Sequence, residues 1–182
     1  MKQIKKQFIM LIVFISIGFI SNAQNYNAAV SLSSGYVQDG FGLQGSYNFT
    51  LNKKEYIQSS LLVTFSKEKY LYMEIPTNIA SLNIGYYNTI FRNLRQTLSW
   101  SLGGGMIGGY EFINNGNSDL ANGAEIGSES KLIYGFFIGS EHDIYINNYY
   151  SILIKVQEFY HLNSDAGKLL PYAGIGVRYY IF

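Results

Sequence analysis

Three glycines in the segment SLGGGMIGGYEFINNG, residues 101–116, have the spacing of a dinucleotide-binding turn. Gly103, Gly105 and Gly108 form the pattern Gly-x-Gly-x-x-Gly, which lets a backbone approach a pyrophosphate at the start of a helix. That role needs a helix after the glycines, whereas the residues after Gly108 alternate in polarity and then turn. No Gly-Lys-Ser or Gly-Lys-Thr completes a Walker loop either. The glycines therefore do not predict a nucleotide site.

The other side chains able to do chemistry are few. The chain has no cysteine and two histidines, His142 and His161, too small a set for a zinc site built from cysteine and histidine. Glu141 and Asp143 lie two positions apart, so on a strand both side chains face the same way. Such a pair either serves as the acid and base of a glycosidase or is neutralised by neighbouring bases. We favour neutralisation, and we predict no catalytic residue, cofactor or metal.

Strands must position these residues, because hydrophobicity alternates along most of the chain with a period of two. The 17 Tyr, 12 Phe and 19 Gly residues, with only 2 Pro, are also typical of paired strands. Leu62 breaks the alternation in the third segment. The eight alternating segments are Ala28–Tyr36, Phe41–Leu51, Ile57–Phe65, Ala80–Ile90, Leu98–Glu111, Lys131–Ile144, Ile152–Gln157 and Gly174–Ile181.

The connections between these segments differ in length at the two ends of the sheet. The short ones are 52–55, 92–95 and 147–148, and the longer ones are Ser66–Pro76, Phe112–Ser130 and Asn163–Leu169, with the short link 38–40 as the exception. An even number of strands, with short turns at one end and longer loops at the other, is a signature of an outer-membrane barrel. We therefore predict an all-β protein, an eight-stranded antiparallel up-and-down transmembrane β-barrel.

The two faces of the predicted strands indicate which side meets lipid. The polar faces carry mostly Ser, Thr, Asn, Gln and Gly, not the Lys and Glu typical of a soluble surface. Aromatic residues cluster at strand ends, where membrane interfaces lie. Apolar side chains are therefore expected to face lipid, and Gly103, Gly105 and Gly109 to make room in a narrow lumen. A soluble sandwich or periplasmic barrel is the alternative.

Residues 1–23 have the three parts of a secretory signal peptide. Three lysines precede an apolar run, Phe8–Ile20, which is followed by Ser-Asn-Ala. That run is short for a membrane-spanning helix, which needs about 20 apolar residues. We predict cleavage after Ala23 and an outer-membrane barrel domain at 24–182; an uncleaved anchor helix is the alternative.

Without the three lysines of this segment, the chain has 10 Lys and Arg residues and 12 Asp and Glu residues. Nucleic-acid binding is therefore not expected, because it depends on an excess of basic side chains.

Charged side chains on the inward face need partners, because an unpaired buried charge costs on the order of several kcal/mol. A three-residue turn between the sixth and seventh strands places Glu141 opposite Lys155, and Arg178 on the last strand lies nearby. The pairing of the fifth and sixth strands places Glu111 opposite Lys131 at the loop end. We predict a structural lumen cluster of Glu141, Lys155 and Arg178, with Glu111 and Lys131 as a further pair.

Four segments resemble the TraO family of conjugal transfer proteins. They are GGGMIGGYEFINNG at 103–116, LANGAEI at 120–126, KLIYG at 131–135 and PYAGIGVRYYIF at 171–182. The resemblance implies a protein that is encoded in a conjugative transposon and accompanies a type IV secretion apparatus. It supplies no catalytic residues.

We therefore expect a non-enzymatic outer-membrane component of a DNA-transfer apparatus. Its partners are expected to be outer-membrane lipid and other transfer proteins, contacted through the barrel wall or the loops, above all Asn114–Ser130. A barrel of eight strands is packed inside and does not conduct DNA. The alternatives are a general small barrel of the adhesion or membrane-stability type, and a lipid-modifying enzyme in which His142 or His161 meets a serine and an acid.

Overall fold

The computed structural model describes residues 28–70, 73–93, 97–116, 129–165 and 167–181. The predicted signal peptide and its cleavage point lie outside the described residues. One turn of 3-10 helix, Asn114–Gly116, accompanies the strands. The strands are β1 (Ala28–Val37), β2 (Gly40–Thr50), β3 (Glu55–Tyr70), β4 (Met73–Arg92), β5 (Leu98–Ile113), β6 (Lys131–Tyr145), β7 (Tyr150–His161) and β8 (Leu169–Ile181).

Each strand pairs antiparallel with the next along the chain, and β1 pairs with β8 to close the barrel. Leu32 lies opposite Val177 across this closing seam. Closure gives each strand two hydrogen-bonded neighbours and so removes the free edges of an open sheet. The prediction of an eight-stranded antiparallel barrel is confirmed. Within the described part of the chain, no helix is long and apolar enough to cross a membrane.

The connections after β2, β4 and β6 lie at one end of the barrel, the turn end, and those after β1, β3, β5 and β7 lie at the other, the loop end. The β6–β7 turn is closed by a hydrogen bond of 2.9 Å from the Ile146 N–H to the Tyr150 carbonyl. Within it, the Asn147 side chain accepts the N–H groups of Tyr149 and Tyr150 at 2.8 and 2.9 Å. An asparagine that bonds backbone two residues ahead is a common way to fix a tight turn.

Of the segment Ser66–Pro76, predicted as a longer connection, residues 66–70 and 73–76 form strand instead. Pairing of β3 with β4 continues to Tyr70 opposite Met73. Charged residues and a proline interrupt the alternation in this stretch. Pro76, however, lies just beyond the pairing of β4 with β5, which begins at Thr77, and proline is tolerated where one side of a strand is free.

Polar side chains face much of the lumen, and most apolar side chains face outward; the inward apolar side chains, which the alternation did not predict, gather toward the loop end. Gln44 and Asn83 in the lumen are fully buried, whereas the outward Met106 and Ile138 are 76% and 70% exposed. A soluble sandwich would bury its apolar face. The closed barrel with an exposed aliphatic surface therefore does not match the sandwich alternative.

The glycines of β5 bring neighbouring groups close together. A Cβ atom at Gly103 would meet the Tyr87 ring, and one at Gly109 would lie 2.8 Å from the Cβ of Ser81. At Gly105 it would meet the β4 backbone. Gly108 faces open space, with no atom within 4 Å of its ideal Cβ. The structure thus places three of these glycines where a side chain would collide with the neighbouring strand or its side chains.

Candidate functional site in the barrel lumen

Four charged side chains meet in the lumen toward the turn end. The β6–β7 register places Glu141 opposite Lys155, and Arg178 reaches in from β8. Asp143, two residues after Glu141, points the same way. All four are buried, with exposed fractions from 0% to 3%. We call Glu141, Asp143, Lys155 and Arg178 the charged cluster.

The charged cluster is a chain of ion pairs with equal numbers of positive and negative groups. The Lys155 ammonium lies 3.0 Å from Glu141 Oε1. The Arg178 guanidinium bridges the two acids, with Nη2 on Glu141 and Nη1 on Asp143. Arginine suits this position because its planar fork holds several donors in fixed directions. The structure thus joins the three predicted cluster residues and adds Asp143, which the sequence marked only as an inward acid.

Neutral side chains complete the coordination of Glu141. Tyr56 donates its hydroxyl to Oε2 at 2.7 Å, and Gln58 donates its amide to Oε1 at 2.8 Å. With Lys155 and Arg178, Glu141 therefore accepts from four donors. A carboxylate has about four acceptor positions, so this geometry leaves none free for a water or a substrate. The arrangement suits a structural tie, not the acid–base pair of a glycosidase.

Lys155 and Asp143 also have neutral partners. Lys155 donates to Ser46 Oγ at 2.7 Å, and Asp143 accepts from Ser151 Oγ at 2.7 Å. Together with the contacts that Tyr56, Gln58 and Arg178 make to the acids, they connect β2 and β3 to β6, β7 and β8 across the lumen. Buried charges need this satisfaction, since a half-satisfied polar network costs more than an apolar core.

Aromatic rings lead from the charged cluster toward the loop end. Tyr56 stacks on Tyr87 with ring centres 5.2 Å apart, Tyr87 meets Phe137 at 6.4 Å, and Phe137 meets Phe159 at 5.6 Å. Gln157 donates to the Tyr87 hydroxyl at 2.8 Å. Beyond them lies a set of buried side chains that we call the apolar layer: Val37, Leu62, Ile79, Ile107, Ile133, Phe137, Phe159 and Leu170. Side chains fill the lumen along this path.

Glu111 and Lys131 lie at the loop end, apart from the charged cluster. They face each other in the β5–β6 register, as the sequence indicates. The structure also brings in the β7–β8 connection: Lys131 pairs with Asp165 at 2.5 Å, and Glu111 accepts the Ser164 hydroxyl at 2.8 Å and the Asp165 N–H at 3.2 Å. Sequence reasoning missed Asp165, because a loop residue has no strand register to place it.

The two histidines lie on opposite sides of the barrel wall. His161 is buried in the lumen, with 1% exposed. His142 faces outward and stacks on Trp100, and Ser140 Oγ lies 3.1 Å from its Nε2. The Trp100 indole donates to the same Ser140 oxygen at 2.6 Å. This hydrogen bond occupies a lone pair of the oxygen that a nucleophilic serine would need for attack. Among the described residues, no group of three His, Asp or Glu side chains is placed to hold a metal.

Solved structures with a similar barrel fold include the following three. Neisserial surface protein A matches with a TM-score of 0.58 and 12% identity, over 86% of this chain and 95% of that one. The N-terminal barrel domain of Pseudomonas aeruginosa OprF gives 0.55 and 13%, over 86% and 98%. Ail, the attachment invasion locus protein of Yersinia pestis, gives 0.53 and 13%, over 87% and 100%. At these identities the similarity defines the class of fold, a small eight-stranded barrel.

The family is defined by sequence. The model of the family described as conjugative transposon protein TraO matches residues 20–181. Because this covers nearly the whole chain, the protein belongs to the TraO family. No curated protein sequence matches the chain.

Proposed function

We propose that the protein is a non-enzymatic outer-membrane component of a conjugative DNA-transfer apparatus of the type IV secretion kind. Membership of the TraO family, together with a barrel whose apolar side chains face outward, carries this proposal. In this account the signal peptide is cleaved after Ala23, and residues 24–182 assemble in the outer membrane.

The outward face of the barrel supports a membrane location. It exposes large apolar side chains from all eight strands, as the lipid-facing band of an outer-membrane barrel does. Aromatic pairs lie near the strand ends, such as Tyr150 with Tyr179 at the turn end and Tyr110 with Phe112 at the loop end. Such girdles sit at the two membrane–water interfaces.

Membrane insertion is tested by fractionation and by gel mobility. The folded barrel is expected in the outer-membrane fraction, migrating differently before and after boiling, with an N-terminus at Gln24. Recovery of the processed chain as dissolved periplasmic protein would contradict the membrane proposal.

The packed lumen supports a role through contacts with other proteins, in place of a role as a conduit. The charged cluster and the apolar layer fill the interior, as in other barrels of this size. The β5–β6 connection is the longest candidate contact segment, and most of it lies outside the described residues. Its base is closed, since Ser130 Oγ accepts the Ile113 N–H at 2.9 Å and the Ser130 carbonyl accepts the Tyr110 hydroxyl at 3.2 Å.

A mating experiment tests the conjugation role. One donor strain lacks the gene, and a second has residues 117–128 replaced by a short Gly-Ser linker, which keeps the closed base at Ile113 and Ser130. We expect a large loss of transfer frequency in the deletion strain and restoration by the full-length gene. A loss in the linker strain as well assigns the contact to this loop, whereas normal transfer in the deletion strain would rule out a role in conjugation.

A general small outer-membrane barrel is the second candidate function. The fold shared with Ail and neisserial surface protein A favours it. Under this alternative the deletion strain transfers DNA normally and instead shows increased sensitivity to detergent or loss of surface adhesion. The enzyme alternative has the weakest support, because Glu141 is fully occupied by four donors and the Ser140 hydroxyl oxygen accepts the Trp100 indole.

A further inference from the structure

The barrel has a polar mouth at the turn end that the proposed function does not use. A cavity of about 70 Å³ opens there. Its exposed lining includes Lys53, Lys54 and Arg92, and its buried lining includes Ser99 and Arg178. A cavity of this size is large enough for several waters or one small polar group. We call this the turn-end mouth.

Local hydrogen bonds fix the backbone of the β2–β3 turn beside the turn-end mouth. In the β2–β3 turn, the Asn52 side chain accepts the N–H groups of Lys54 at 2.9 Å and Glu55 at 3.1 Å. The Lys54 carbonyl accepts the Thr89 N–H at 2.6 Å, which holds this turn against β4. Arg92 ends β4 and so lies on the strand that receives the turn. The backbone that carries the cations is therefore positioned before any ligand binds.

The lining of the turn-end mouth carries excess positive charge. It contains four cations, namely Lys53, Lys54, Arg92 and Arg178, and two acids, Glu55 and Asp143. Asp143 is neutralised by Arg178, and Glu55 accepts the Asn52 amide. In the described part of the chain, the buried Nε of Arg178 has no hydrogen-bond partner. The mouth thus offers hydrogen-bond donors together with excess positive charge.

We infer that the turn-end mouth binds an acidic segment of a partner protein through its Asp or Glu carboxylates. A short acidic segment fits because one carboxylate matches the size of the cavity and its neighbours match the exposed cations. Lipid is disfavoured because the mouth opens along the barrel axis, whereas lipid lies against the outer wall. DNA is disfavoured because nucleic-acid binding needs an extended basic surface, and the barrel domain has more acidic than basic residues.

The binding test uses the full mature barrel purified in detergent and a fluorescein-labelled hexaglutamate peptide, read by fluorescence anisotropy. The triple variant Lys53→Gln, Lys54→Gln, Arg92→Gln is expected to weaken binding by about tenfold or more, since several exposed ion pairs are lost. The matched control is Lys67→Gln, Lys131→Gln, Lys168→Gln at the loop end, which removes the same charge and should bind as wild type does. Heat-modifiable mobility verifies that both variants are folded.

Three outcomes overturn the inference. They are equal weakening of binding by both triple variants, binding of hexaglutamate by the wild type no tighter than binding of a hexaglutamine peptide, and tighter binding of a twelve-nucleotide oligothymidine than of hexaglutamate. That the partner belongs to a transfer apparatus rests on the proposed function, so each variant is also placed in the mating assay. If deletion abolishes transfer and the turn-end variant restores it fully, the mouth is not the contact but the proposed function stands. If deletion has no effect, the proposed function itself fails.

Discussion

The two halves of the lumen are filled by different chemistry, although the same strands build both. Near the turn end, Glu141 and Lys155 belong to the charged cluster, and Gln58 donates to Glu141. Four residues further along the same strands toward the loop end, Phe137, Phe159 and Leu62 belong to the apolar layer. Ion pairs need particular partners at particular positions, whereas apolar packing needs only shape and volume. The turn-end half can therefore specify strand register, and the loop-end half mainly contributes packing.

This difference predicts different costs for truncation. Removing one member of a buried ion-pair network leaves its partners buried and uncompensated. Removing an apolar side chain loses its transfer free energy and leaves a cavity. The free energy of unfolding in lipid vesicles, measured by urea titration, allows the two halves to be compared on one scale.

Arg178→Ala is expected to give the largest loss of stability, about 3–5 kcal/mol. The substitution removes the cation that bridges Glu141 and Asp143 and leaves both carboxylates short of positive charge. Urea titration should show a lower midpoint with an unchanged slope. A loss below about 1 kcal/mol would mean that the charged cluster does not hold the strands together.

A balanced replacement separates charge compensation from the mere presence of charge. Glu141→Leu alone leaves Lys155 unpaired, whereas Glu141→Leu with Lys155→Met leaves the Arg178–Asp143 pair neutral. The double variant should be more stable than the single one, because replacing a whole buried pair by apolar groups is often nearly neutral. If the double variant is the less stable, the charged cluster contributes more to the free energy of unfolding than charge balance alone explains.

Leu62→Ala is expected to cost about 2–5 kcal/mol, the usual range for a leucine in a packed interior. The matched control is the neighbouring Leu61→Ala. Leu62 is fully buried in the apolar layer, whereas Leu61 faces outward and is 55% exposed. Both lose transfer free energy, but only Leu62 leaves a cavity, so its loss should be the larger. Equal losses for the two variants would contradict an apolar layer packed at interior density.

The sequence predicts the fold well because strand number and most side-chain directions follow from the alternation, and the even strand number with short turns at one end and longer loops at the other indicates a closed barrel. It also places Glu141 opposite Lys155, since a turn of known length fixes the register. It does not reveal the apolar layer: Leu62 breaks the alternation because it is an apolar side chain on the lumen face, between the polar Ser60 and Thr64, where the pattern predicts a polar residue. Asp165 escapes notice for a different reason, because the β7–β8 connection folds back over the barrel without a repeating pattern.

Gly103→Ala tests the packing where the two halves meet. A Cβ atom there would collide with the Tyr87 ring. This ring lies between Tyr56, which donates to Glu141 of the charged cluster, and Phe137 of the apolar layer. Overpacking of this kind costs about 1–3 kcal/mol. Gly108→Ala on the same strand meets no atom within 4 Å and should change stability by less than about 0.5 kcal/mol. Equal effects of the two substitutions would contradict the assigned lumen and outer faces of β5.

Lys131→Ala should have the smallest effect, about 0–1 kcal/mol, because a partly exposed ion pair gains little over hydration. The Lys131 and Asp165 side chains are 33% and 39% exposed, in contrast to the fully buried Lys155–Glu141 pair. A double-mutant cycle with Asp165→Ala isolates the coupling, which should shrink as salt is raised because exposed charges are screened. The coupling between Lys155 and Glu141 should change much less with salt. A salt-insensitive Lys131–Asp165 coupling would show that the loop end, too, holds its charges away from water.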